Sequence, residues 1–134
     1  MSPTSAILPV GKIINVADDV LFMPGSTKPT ILNMWEIVRV SPRSDGKYPL
    51  GKLCVAALVR GGSGTVRFRV DVVDALNNTV VRQSQNYPYQ FRNRLRSHLV
   101  VIRMLDVLFP SAGDYLVELF CENTFVDDQP IQVL

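Results

Sequence analysis

Apolar and polar residues alternate most cleanly over residues 65–72. Val66, Phe68, Val70 and Val72 fall on one side, and Thr65, Arg67, Arg69 and Asp71 on the other. A period of two predicts a strand with one wet face. Residues 52–60 form a second apolar run, separated from the first by Gly61, Gly62, Ser63 and Gly64. Two strands about a glycine-rich turn predict a hairpin. Residues 75–79 make the next turn, where Asn77 and Asn78 tolerate left-handed backbone, and a shorter strand follows over 80–85.

The same rhythm fills the rest of the chain. Runs at 20–23 and 30–40 flank a break containing Pro24, Gly25 and Pro29. Residues 41–51, with two prolines and two glycines, predict a longer surface loop. Residues 97–108 are apolar on both sides for much of their length and predict a central strand. Residues 110–114 turn into a strand over 115–122, Asn123 and Thr124 turn again, and 125–133 closes the chain. Pro130 predicts an edge or a bulge for that last segment. Only residues 95–108 are ambiguous with helix, and Val100, Val101 and Ile102 favour strand. Seven to nine short strands at these spacings predict an all-β chain, an antiparallel β-sandwich with Greek-key connections.

Composition narrows the function. A chain of 134 residues suits one domain, here 1–134, with residues 1–11 as a flexible N-terminal segment. The net charge of +2 supplies no strong field toward nucleic acid or a membrane surface. Two cysteines and one histidine exclude most structural zinc sites and disulfide-dense scaffolds. The N-terminus lacks the pattern of a signal peptide, and Arg103 and Asp106 interrupt the longest apolar run, 99–109. A cytoplasmic, reducing location is therefore expected, with Cys54 and Cys121 as free core thiols.

Four stretches resemble a family of small bacterial proteins known only as a domain of unknown function. They are the strand and acidic pair at 13–20, the segment 28–35 ending in Trp35, the strand pair at 66–81, and Phe109, Pro110, Gly113 and Tyr115 in the spacing Phe-Pro-x-x-Gly-x-Tyr. The resemblance implies an immunoglobulin-like sandwich and a bacterial source, and implies no activity. Pro29 departs from the family's pattern in the first hairpin. Pro110 and Gly113 suit a tight corner between sheets, with the Tyr115 ring buried and its hydroxyl bonded to backbone.

Catalytic chemistry finds little support. His98 is the only histidine, no Gly-x-Ser-x-Gly motif occurs, and a strand follows Gly61–Gly64 where a phosphate cradle needs a helix. A strand-end histidine is the simpler reading of His98. The pairs Asp18, Asp19 and Asp127, Asp128 lack calcium-loop spacing and read as turn and solubility residues. No catalytic residue, metal ligand or cofactor is assigned.

The segment 87–98 is more informative. Arg92, Arg94 and Arg96 alternate, so in an extended chain they point one way about 6–7 Å apart. Tyr87, Tyr89 and Phe91 precede them as candidate stacking surfaces. Arginine beside aromatics suits a protein partner or an anionic ligand. The competing reading is a solvated edge whose charge blocks strand-to-strand aggregation. These six residues are the expected binding site of a non-enzymatic protein-interaction module. The alternative is a binder of a small anionic ligand or nucleic acid; the low net charge speaks against nucleic acid. Another protein is the expected partner, and no membrane segment is expected.

Overall fold

The described residues form ten strands arranged as two sheets packed face to face, with no helix among them. This computed structural model describes residues 6–22 and 29–134. The strands are β1 (Val10–Phe22), β2 (Pro29–Met34), β3 (Ile37–Val38), β4 (Tyr48–Arg60), β5 (Gly64–Asp74), β6 (Thr79–Gln83), β7 (Tyr87–Phe91), β8 (Ser97–Phe109), β9 (Gly113–Cys121) and β10 (Thr124–Val133). One sheet runs β2-β1-β4-β8. The other runs β3-β10-β9-β5-β6, with β7 also paired to β5. Alternate residues of β4, β5, β8 and β9 fill the space between the sheets, among them Leu53, Val55, Phe68, Val70, Ile102 and Leu119.

The β-sandwich agrees with the alternation in the sequence, but four features differ. First, the strands are ten, and β1, β4 and β8 each run thirteen residues. Second, β4 and β5 do not form a hairpin. Strand β4 pairs with β1 and β8, whereas β5 pairs with β6, β7 and β9. Gly61 and Gly64, at φ of 81° and 76°, let the chain cross from one sheet to the other. Third, β8 is an edge strand and β4 is the central one. Arg103, Leu105 and Asp106 on β8 are exposed, while β4 is buried on both faces from Leu53 to Ala57. Fourth, β3 runs parallel to β10. The 41–51 loop ends at Lys47, where β4 begins. The expected break at 24–28 and the first five residues of the 1–11 segment lie outside the described residues. Within that segment, Ile7 bridges Ser63 and Val10 opens β1.

An edge strand leaves a row of backbone groups unpaired. On β8 the other sheet reaches across to meet them. The Arg82 guanidinium donates to the carbonyls of Leu105 and Asp106 at 3.0 and 3.1 Å, and the Tyr87 hydroxyl donates to that of Arg103 at 3.1 Å. The Phe109–Tyr115 corner closes the same side. Tyr115 is buried against the Phe109 ring and donates its hydroxyl to the Ser111 carbonyl at 2.6 Å.

The outer face of the four-stranded sheet carries a second apolar cluster around Val20, Cys54 and Ala56. Asp19 spans its rim, accepting from Lys52 Nζ at 2.8 Å and Arg103 Nε at 2.9 Å. The Lys52 hydrogen bond, then the Arg103 one, hold this carboxyl well below the usual carboxylate range. A folded pKa below the unfolded one adds stability above the unfolded value, and that stability is lost as pH falls. Asp19→Asn should therefore lower the thermal midpoint at pH 7, with the gap to wild type narrowing steadily below about pH 4. A gap independent of pH would show that the ion pairs contribute nothing.

Candidate functional site

The expected site straddles two environments. Strand β7 pairs with β5 from Phe91 opposite Gly64 to Tyr87 opposite Phe68. Period two puts Tyr87, Tyr89 and Phe91 on one face, and that face is the sandwich interior. Phe91 is buried, and its ring lies 5.0 Å from Tyr89 and 6.1 Å from Phe68, the latter edge-on. The three aromatics are thus not the stacking surface expected from the sequence. They fasten the segment to the core.

Strand β7 ends at Phe91, so Arg92, Arg94 and Arg96 do not sit on an extended chain. They lie on the turn that carries the chain to β8 in the other sheet, and all three are exposed. Asn93 organises this turn. Its Oδ1 accepts from the Leu95 amide at 3.0 Å, and its carbonyl accepts from the Arg96 amide at 3.3 Å. The same carbonyl lies 3.0 Å from His98 Nε2. Because a carbonyl only accepts, Nε2 carries the proton; in the neutral ring Nδ1 then accepts from the Tyr89 hydroxyl, 3.1 Å away. Both ring nitrogens of His98 are engaged. The side chain acts as a strap between the aromatic anchor and the turn, which leaves neither nitrogen free for a general base.

Two residues far away in sequence complete the site. Val10 at the start of β1 and Arg60 with Gly61 at the end of β4 meet Arg94 and Leu95 around an open cleft of about 410 Å³. Leu95 is 94% exposed and Val10 67%. None of Arg60, Arg92, Arg94 and Arg96 makes an ion pair or a side-chain hydrogen bond among the described residues. Next to the cleft, Gly62 lies against the Phe91 ring; a Cβ there would stand 2.7 Å from its nearest carbon. Arg60 and Val10 had no local signal in the sequence, since each only terminates an apolar run. The site is therefore a cleft lined by exposed apolar side chains with Arg60 and Arg94, beside Arg92 and Arg96 on the same turn, all four without counter-charges among the described residues.

Other candidate chemistry is bound up in structural contacts. Asp18 accepts from Asn33 Nδ2 at 2.9 Å, Asp19 is held by Lys52 and Arg103, and Asp127 caps the Asp128 amide at 2.8 Å. Among the described residues no three His, Cys, Asp or Glu side chains are grouped to hold a metal ion. Gly61–Gly64 leads into β5. Cys54 and Cys121 are free and buried. Burial raises both thiols, Cys121 to about 11, which suppresses the reactive thiolate. No described helix is long and apolar enough to cross a membrane. No family model matches the chain, and no curated protein matches it.

Proposed function

We propose that the protein is a non-enzymatic interaction module that holds an acidic, partly apolar protein surface against the basic end of its sandwich. One observation carries this reading: Arg60 and Arg94 line a cleft with the exposed Leu95 and Val10, Arg92 and Arg96 flank Arg94 on the same exposed turn, and none of the four has a carboxylate partner among the described residues. Guanidinium groups bind carboxylates bidentately, and arginine beside a fillable apolar pocket is the composition of interface hot spots. A nucleic-acid surface would have less use for the apolar lining. The immunoglobulin-like topology and the bacterial family belong to the same proposal, supported by the Tyr115 corner. So does a cytoplasmic, reducing location, supported by two buried free thiols.

Changing Arg92, Arg94 and Arg96 together to Ser should leave the unfolding free energy within about 0.5 kcal/mol, as for exposed turn positions. It should weaken binding by about 2 kcal/mol or more. The probe is a fluorescent peptide alternating Glu and Leu, titrated against wild type and variant, with an oligonucleotide of equal charge beside it. Tighter binding of the oligonucleotide, with a steep salt slope, would favour the anionic-ligand reading instead. Equal binding of the peptide to wild type and variant would remove the arginines from the site.

A further inference from the structure

The chain is nearly neutral, with 14 Lys and Arg against 12 Asp and Glu, and five ion pairs among the described residues take up part of each sign. The surplus of guanidinium groups at the basic end has a counterpart on the outer face of the six-stranded sheet. There Asp128 on β10 stands directly opposite Glu118 on β9, and Glu118 stands directly opposite Asp71 on β5. Residues opposite one another in register share a face, so three carboxylates form one row across three adjacent strands. Like charges so placed are destabilising. Asp71 takes Arg69 at 3.0 Å, whereas Glu118 and Asp128 have no cation partner among the described residues. The Glu118 carboxyl is pushed up by burial first and then by Asp128 and Asp71. In the neighbouring row the Arg69 guanidinium covers the Phe120 ring at 4.7 Å, and Phe125, half exposed, meets Phe120 edge-on at 6.0 Å.

This face is the complement of the basic end. One presents apolar side chains beside unpaired guanidinium groups, the other apolar rings beside unpaired carboxylates. Resting on the reading of the basic end as a protein-binding site, we infer that its occupant is a second copy of this chain, docked through Glu118, Asp128 and Phe125. The two surfaces are different parts of one molecule. The contact is therefore heterologous: each bound pair keeps one basic end and one acidic face free, and assembly continues until a ring closes or a filament grows. Its strength rests on charge pairs at a partly solvated interface, so it weakens with salt.

Two variants with complementary defects test this. Arg92, Arg94 and Arg96 changed together to Ser leave the acidic face intact. Glu118→Lys with Asp128→Lys leaves the basic end intact. Sedimentation velocity of wild type at low salt should show mass rising with concentration, reversed at about 1 M salt, where the Debye length falls to about 3 Å. Each variant alone should stay monomeric, and the equimolar mixture should form a dimer that grows no further, because the serine end and the lysine face that remain free do not attract each other. Circular dichroism melts confirm that both variants are folded; should the Lys pair fail to fold, Phe125→Asp replaces it as the variant with a broken acidic face. A wild type monomeric at low salt up to concentrations on the order of 100 µM, weaker than useful self-affinity, overturns the inference. So does a mixture that stays monomeric. If the Glu-Leu peptide still binds the wild-type cleft in either case, the binding site stands and only its self-partner is lost; if the peptide fails as well, both readings fall.

Discussion

Tyr115→Ala is expected to lower the unfolding free energy by about 3–5 kcal/mol, the range for deleting a large buried aromatic. Three losses combine at this position. The ring is 1% exposed and packs at 4.8 Å on Phe109, so its removal leaves a cavity where β8 passes to β9. The hydroxyl bond to the Ser111 carbonyl disappears, and with it the clasp on the turn between the sheets. Gly113, at φ 146°, takes a backbone conformation that other residues adopt poorly, so the turn cannot readily rearrange. Tyr115→Phe separates the contributions, since it retains the ring and should cost about 1 kcal/mol for the hydrogen bond. Urea titration with an unchanged slope is the measurement. A midpoint unmoved by Tyr115→Ala would mean that the corner is not closed as described.

Gly62→Val should cost about 2–3 kcal/mol, at the upper end for forced overpacking. The new Cβ would meet the Phe91 ring at 2.7 Å. That ring cannot swing aside, because Phe68, Tyr89 and His98 crowd it edge-on or tilted. Either the crossing segment or β7 must shift, and β7 carries the arginine turn. Peptide binding at the basic end should therefore fall along with stability. Gly51→Ala is the control: open space surrounds its position, and no loss is expected. A Gly62→Val protein as stable as wild type would place the chain crossing elsewhere.

The alternation at Thr65–Val72 was enough to place β5, because period two with one apolar set has a single reading. Its partner was not readable. The glycine-rich stretch at 61–64 serves a hairpin and a sheet-to-sheet crossing equally well, and long-range pairing with β9 decides between them. Strand β8 misled for a different reason. Its apolar residues look inward and outward alike because the outer sheet face carries its own cluster with Leu99 and Val101. The binding segment was half legible. Arg92, Arg94 and Arg96 stand out by composition, but the phase that turns Tyr87, Tyr89 and Phe91 into the core depends on which face of β7 the opposite sheet covers. Arg60 and Val10 join them only through tertiary contacts. The acidic row is invisible in sequence, since Asp71, Glu118 and Asp128 are aligned by strand register alone.

The two buried cysteines turn the protein into its own stopwatch. Cys54 belongs to the four-stranded sheet and Cys121 to the six-stranded one, and neither thiol meets solvent while its sheet is closed. Cys54 sits in the outer cluster and Cys121 between the sheets, so a thiol reagent in large excess modifies Cys54 at the rate at which that cluster opens and Cys121 at the rate at which the sheets part. Equal rates at the two positions describe a sandwich that opens as one unit. Faster modification of Cys54 would show the outer apolar cluster opening first, and faster modification of Cys121 the sheets parting first. The two half-reactions read the cooperativity of the fold without any added label.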